Sequence, residues 1–298
     1  MRPWLHHVEV RVPDLQAALA FHQDVLQLSL VERQGEKAYL ACGHDPSIDL
    51  CLSSGGIGLG HVAYAVPDEE TLAAYSERLR QHNVPLIHVS EGEPGIAAAV
   101  RFSLPSGHSM EFVVPAPITE ASYSYAHPAV LCFRETRASL LLDLDHVTLR
   151  HTHVQAVASF LRDVLGFHLP DARVTADGRW RGAWLHLTDQ HHDLAVLLGN
   201  DGETLDHIAF RVAGIEAMKL FADTLAAHGG KIEVGPGRHS IGGNLFLYFW
   251  TPDGNRYELS AEMALVANRA APTTFWGDSP DLFSPWGIRP PESFRTGS

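Results

Sequence analysis

The chain has 298 residues, room for two ordinary domains, and its 45% hydrophobic and 19% charged residues are the balance of a soluble globular protein. A net charge of −13 excludes a nucleic-acid or acidic-membrane partner, because binding polyanions takes basic patches. Three cysteines (Cys42, Cys51, Cys132) without metal-site spacing point to a reducing compartment; with no signal peptide and no apolar run near ~20 residues, the chain reads as cytoplasmic.

In chain order, Leu5 to Val12 alternates as a strand and carries His6 and His7. Pro13-Asp14 opens a helix in LQAALAFHQDVLQL, where Leu15, Leu19, Val25 and Leu26 fall near one stripe. Short strands are expected near Ser29–Glu32, Ala38–Cys42 and Asp49–Ser53. Glycine-rich residues 54–60 lead into a strand at His61 to Val66, and Pro67-Asp68 opens a second helix to about Gln81. Strands near Pro85–His88 and Ala98–Ser103 precede the turn Leu104-Pro-Ser-Gly107 and a strand from Ser109 to Val114.

From Leu144 the pattern starts again. LDHVTLR matches LHHVEVR at Leu5, and SFLRDVLGF at Ser159 matches AFHQDVLQL at Ala20, both offset by 139 residues. DHIAFRV at Asp206 matches GHVAYAV at Gly60, and TPDGNRYELS at Thr251 matches LPSGHSMEFV at Leu104. Each half therefore runs β-α-β-β-β twice. The expected organisation is an N-terminal domain over 1–115, a proline-bearing linker over 116–142, a C-terminal domain over 143–263 and an extension over 264–298. Ala129–Leu142 offers an extra strand. The extension is too aromatic for a disordered tail and is expected to wrap over the folded body.

The stretch Gly237 to Glu258 concentrates the chemistry. Leu245 to Trp250 and Asn255 to Ser260 read as a hairpin around Thr251-Pro-Asp-Gly254, with Tyr248 and Phe246 on one face. A glutamate in so apolar a strand needs a partner, and a metal ion is one. Aligning the halves makes His146, His207 and Glu258 coincide with His7, His61 and Glu111. Two imidazoles and one carboxylate on one face of an octahedron form the facial triad associated with non-haem Fe(II). A lone histidine on a strand is more often structural; matched positions in a repeat argue otherwise.

With these residues in view, the chain resembles the type I extradiol ring-cleaving dioxygenases of the vicinal oxygen chelate superfamily. The duplicated modules fit the superfamily. More specific is Gly237-x-His239, seven residues, Leu247-Tyr248, two residues, Thr251-Pro252-x-Gly254, three residues and Glu258, which satisfies the family signature throughout. WLHLTDQHHDLAV and GPGRH look like the homoprotocatechuate-cleaving branch. The resemblance implies an α+β fold of two tandem domains, each of two βαβββ modules forming a curled mixed sheet around a cleft. It implies Fe(II), with Mn(II) as the alternative, held by His146, His207 and Glu258, and O₂ as cosubstrate. It casts His192 as the acid/base, with His191 as the lesser choice, and His239 and Tyr248 as hydrogen-bonding groups to the catecholate. It also implies a homo-oligomer, a tetramer by preference.

Two departures bear on the substrate. Val234 and Thr148 stand where the homoprotocatechuate branch has an arginine and an asparagine, and the extension offers only Arg289 and Arg295 near its end. A neutral or alkyl- or aryl-substituted catechol is therefore expected. In the first half Arg101 replaces Tyr248, Ala97 falls near the place of His239, and nothing matches His192, so that half is expected to hold a relic site. Two rival functions remain at this point: another metal-dependent enzyme of the superfamily, such as a glyoxalase-like isomerase or lyase, and a module that sequesters an aromatic compound.

Overall fold

The computed structural model describes residues 2–42, 47–87, 92–117, 139–199, 202 and 204–298. The first half contains β1 (Trp4–Val12), α1 (Leu15–Asp24), β2 (Ser29–Gln34), β3 (Lys37–Ala41), β4 (Leu50–Ser54), β5 (Gly58–Ala65), α2 (Glu69–Gln81), β6 (Ile96–Ser103) and β7 (Ser109–Pro115). Asp14 and Asp68 explain where its helices start: each carboxylate accepts hydrogen bonds from first-turn amides that have no partner within the helix. The first helix is shorter than its apolar stripe. It stops at Asp24, and Gln27, at φ 58°, turns the chain so that Val25, Leu26 and Leu28 still enter the core.

The second half repeats this plan with β8 (Asp143–His151), α3 (Val154–Asp163), β9 (His168–Val174), β10 (Trp180–His186), β11 (Leu194–Leu198), β12 (Thr204–Arg211), α4 (Ile215–Ala227), β13 (Ile232–Arg238), β14 (Leu245–Trp250) and β15 (Arg256–Ala261). A short β16 (Thr274–Trp276) follows. The strands form two mixed sheets, ordered β2-β3-β4-β1-β5-β7-β6 and β13-β14-β15-β12-β8-β11-β10-β9-β16. In each, the two modules meet through an antiparallel pair, β1 with β5 and β8 with β12, flanked by parallel neighbours. This is the expected α+β arrangement of βαβββ-type modules in two domains.

Two expectations change in detail. The strand expected near Pro85–His88 is a single bridge from Ile87 to Arg101, with His88 outside the described residues. Most of the linker, with Cys132 and the greater part of the expected strand over 129–142, also lies outside them, and residues 139–142 are not strand. Cys42 and Cys51 are buried and are not joined in a disulfide. No helix among the described residues is long and apolar enough to cross a membrane.

One continuous apolar core runs through both halves, from Leu5 to Ala261. Polar contacts tie them further. Tyr64 of β5 donates to the buried Asp193 (2.8 Å), and His22 of α1 meets the Tyr257 hydroxyl (2.8 Å). His108 reaches the Thr204 carbonyl (3.1 Å) from before β7, while Asn255, at the matching turn, reaches the Arg11 carbonyl (3.0 Å).

Candidate metal centre

Register places the three expected ligands together. On β12, Ala209 pairs with His146 of β8 on one side and Glu258 of β15 on the other, and His207 sits two residues before it. Period-two alternation therefore turns all three side chains to one face. A small Ala209, fully buried, leaves that face open between them. Tyr248 pairs directly with Glu258 across β14 and β15 and shares the face.

The donor atoms converge. His146 Nε2 lies 3.3 Å from His207 Nε2, and Glu258 Oε2 is 3.1 and 3.0 Å from them. An octahedral ion with bonds of about 2.1 Å puts cis donors about 3.0 Å apart, so the spacing suits one shared cation. The other ring nitrogens are already committed. His146 Nδ1–H donates to Asp145 (2.9 Å) and His207 Nδ1–H to Asp206 (2.6 Å), which leaves Nε2 of each ring as the position that can ligate a metal. Three buried ligand atoms aimed at one point need a cation between them, a metal ion or, in its place, a proton on a ring nitrogen. The residues present fit a divalent metal.

The electrostatics agree. Burial opposes charge on His146, but Glu258 and Asp145 outweigh it and push its pKa up to about 10. Burial likewise opposes ionisation of Glu258, yet His146 and His207 hold its carboxyl well below the usual range. Asp206 is buried too, and His207, Arg150 and Arg256 keep it low. Arg150 and Arg256 also accept the extension, donating to the carbonyls of Phe294, Ser293 and Thr296. The cation matched to the carboxylate behind His207 thus pins the chain end.

Above the triad lies a cavity of about 170 Å³. An apolar cavity of ~150 Å³ is known to hold benzene, so this one suits a substituted single ring. His192, His239 and Tyr248 line it with Thr148, Trp184 and Ile241. The expected site residues are therefore brought together: His146 and His207 line the floor with Glu258 against them, and His192, His239 and Tyr248 stand on the walls. His239 Nδ1–H donates to the Phe283 carbonyl (2.9 Å), so its neutral Nε2 accepts from the Tyr248 hydroxyl (2.9 Å). Phe246 stacks on His239 with centroids 4.2 Å apart. Burial, and then the neighbouring imidazoles of His146, His191 and His239, push the His192 pKa well down. Burial, reinforced by Glu258, pushes the Tyr248 phenol well up.

Sequence reasoning missed several lining residues. Leu282, Phe283, Pro290 and Phe294 come from the extension, which does wrap over the body, and over this cavity. Arg173 and Arg181 reach its edge from β9 and β10. Arg173 is matched by Asp278 (2.7 Å), and Arg181 is exposed. No motif marks them, since arginines on outer strands are usually solvated.

In the first half the glutamate that meets the two histidines is not the aligned Glu111. Register again aligns His7 and Glu111 with a small Ala63, and Arg101 pairs with Glu111 as Tyr248 pairs with Glu258. His7 and His61 Nε2 are 3.1 Å apart. Yet Glu111 is taken by Arg101, whose Nε donates to it at 2.6 Å, and stays 3.8 Å from His61. The carboxylate that joins the histidines is Glu93, 2.8 Å from His7. It lies eight residues before Arg101, whereas His239 lies nine before Tyr248, so corresponding loops supply a glutamate and a histidine.

Comparison with known proteins gives the same answer as the geometry. Residues 143–259 match the Glyoxalase/Bleomycin resistance protein/Dioxygenase superfamily, and residues 59–115 match the catechol 2,3-dioxygenase-like N-terminal domain. A manganese-dependent 2,3-dihydroxybiphenyl 1,2-dioxygenase of Geobacillus genomosp. 3 is 28% identical over 263 residues, covering 85% of this chain and 83% of the relative. A metapyrocatechase of Pseudomonas sp. (strain CF600) is 28% identical over 268 residues, 87% and 85% of the two chains. Homoprotocatechuate 2,3-dioxygenase of Arthrobacter globiformis superposes with a TM-score of 0.87 at 26% identity, over 100% of this chain and 91% of that one. The chain belongs to the type I extradiol dioxygenases of the vicinal oxygen chelate superfamily and is an extradiol, ring-cleaving catechol dioxygenase with a His-His-Glu metal site.

Proposed function

We propose that His146, His207 and Glu258 hold Fe(II), and that the enzyme opens a neutral or apolar-substituted catechol beside its diol with O₂, giving a 2-hydroxymuconic semialdehyde-type product in the breakdown of aromatic compounds. The observation that carries this reading is the convergence of three donor atoms, from His146, His207 and Glu258, two of whose residues line a ring-sized cavity. Held by His146, His207 and Glu258, the ion would supply Lewis acidity toward the catechol oxygens and an electronic path from the ring to dioxygen. Mn(II) suits the same ligands, and one relative is manganese-dependent by name.

The chain's own groups do the rest. His192, kept neutral by burial and its imidazole neighbours, accepts a proton from a catechol hydroxyl and returns it as the ring opens. Tyr248 and His239, now bonded to each other, turn their polar atoms to the substrate oxygens and fix the ring's orientation. Phe283 and Phe294 pack over the ring edge and keep water out. A homo-oligomer, tetrameric by family resemblance, belongs to the same proposal and is read by light scattering.

Arg181 favours a second reading. Its guanidinium stands at the cavity edge with no opposing carboxylate among the described residues, and a catechol bearing an acidic arm would meet it. An exposed guanidinium contributes little by itself, so the neutral substrate remains the first reading. The test is anaerobic loading with Fe(II), then O₂ uptake and yellow product with catechol, 3-methylcatechol and 3,4-dihydroxyphenylacetate. The proposal expects one O₂ per catechol and a higher kcat/KM for the neutral pair. A preference for the acid that vanishes in Arg181→Ala would establish the second reading. Absence of ring cleavage with any of them would defeat both.

A further inference from the structure

The histidine beside His192 is not an idle neighbour. His191 Nδ1 lies 3.0 Å from His192 Nδ1, and His191 Nε2 lies 2.5 Å from Asp171 Oδ2. Asp171 is held in turn by the indole N–H of Trp276 on β16, the strand that lies beside it on β9. The His191 amide donates to the Ala264 carbonyl at 2.8 Å, which fixes the backbone of the pair. Space is set by Gly242, at φ +83°: a Cβ there would stand 3.1 Å from His191 Nδ1 and 3.2 Å from His192 Cε1.

With both rings neutral, hydrogen counting along this row has one outcome. A carboxylate only accepts, so the hydrogen between Asp171 and His191 sits on His191 Nε2. A neutral His191 then has a lone pair on Nδ1. The two Nδ1 atoms at 3.0 Å need one hydrogen between them, and it must come from His192. That leaves His192 Nε2 bare on a ring that lines the cavity. With the hydrogen on the other nitrogen, the ring would meet the substrate with a donor and could take no proton from it.

We propose that His191 and Asp171 are positioning residues that orient His192 and place its hydrogen on Nδ1, so that Nε2 faces the substrate as an acceptor. The inference rests on the reading of His192 as the proton carrier. It also gives part of the extension a task, since Trp276 holds Asp171 in line. Neither residue touches the cavity, and neither contacts a metal ligand.

The experiment uses the Fe(II)-loaded full chain with 3-methylcatechol and compares His191→Phe, His191→Asn, Asp171→Ala and His192→Ala. Phenylalanine keeps a ring but offers no acceptor; asparagine places an oxygen near the former Nδ1. His191→Phe is expected to lower kcat about tenfold or more, with iron content and KM within about twofold of wild type. His191→Asn should recover to within about threefold, and Asp171→Ala should fall in the same direction as His191→Phe, which also serves if the phenylalanine variant misfolds. Wild-type kcat in His191→Phe, or an equal loss in His191→Phe and His191→Asn, would overturn the inference. Full activity in His192→Ala would remove the reading beneath it, and the inference with it.

Discussion

Both halves of this protein set two histidines and a strand-borne glutamate on one face of a sheet, around a buried alanine. They differ in the residue opposite the glutamate. Tyr248 leaves Glu258 with histidines and Asn244 for company, and no Lys or Arg among the described residues pairs with it. Arg101 instead ties up Glu111 and lies 3.5 Å from Glu93 and 3.4 Å from His61 Nε2. Lys37 adds a second cation at Glu9 (2.7 Å), and Glu9 in turn faces His61 Nδ1 (3.2 Å). At about 4 Å a pair of unit charges interacts by about 4 kcal/mol at an effective dielectric of 20, so a divalent ion beside Arg101 would meet roughly twice that in repulsion. The first-half cluster already holds Arg101 and Lys37, whereas among the described residues the second holds no such cation at Glu258. We propose that this difference keeps a metal out of the first half.

Substitution of corresponding histidines breaks this contrast most sharply. His146→Ala should lower kcat on the order of 10³-fold or more, by loss of the charge-stabilising centre, while His7→Ala should leave kcat within about twofold. Steady-state O₂ uptake at saturating catechol reads both.

Next in size is Arg101→Ala. It leaves Glu111 buried without its cation and Glu93 with only the more distant Lys37, and breaking such a pair destabilises by about 3 kcal/mol. Added Mn(II) should restore the thermal midpoint of this variant and raise its metal content by one ion per chain. A variant that stays metal-blind and unstable would show that more than Arg101 closes the first site.

The matching turns of the two halves differ in the same spirit, with His108 where the other has Asn255. Burial holds His108 down to about 4, partly offset by its hydrogen bond to the Thr204 carbonyl. Its folded pKa lies below the unfolded value near 6.5, so the unfolded chain binds the proton first. Stability is full above pH 6.5 and falls as pH drops toward 4, by at most about 3 kcal/mol. Urea unfolding at pH 7 and pH 4.5 should show a smaller difference between the two pH values in His108→Asn than in wild type.

The smallest effect concerns the joint. Tyr64 stands where the second half has Phe210, and its hydroxyl crosses to Asp193, beside His192. Tyr64→Phe should cost about 1–2 kcal/mol of stability and leave the metal in place. Denaturant titration with metal analysis checks both parts.

Much of this was legible in the residues. The repeat exposed the modules, and the spacing from Gly237 to Glu258 singled out His239, Tyr248 and Glu258, because strand register converts spacing directly into a shared face. Glu93 could not be read that way: it sits before β6, in a stretch with no period, and only folding brings it to His7. Arg101 was visible as a departure, but its grip on Glu111 depends on side-chain reach. Asp171 and Trp276 meet through a strand pair between distant segments, which leaves no local pattern. The aromatic extension announced that it would be buried somewhere; that Phe294 meets the cavity follows from Arg150 and Arg256, and Phe283 from His239, whose partners lie far along the chain.

Metal counting tests the central claim most directly. Wild type, His7→Ala and Glu258→Ala would be loaded anaerobically with excess Fe(II), freed of unbound ion and measured for iron per chain. One iron in wild type and in His7→Ala, with almost none in Glu258→Ala, is the predicted result. Two irons in wild type falling to one in His7→Ala, or one iron kept in Glu258→Ala, would contradict it.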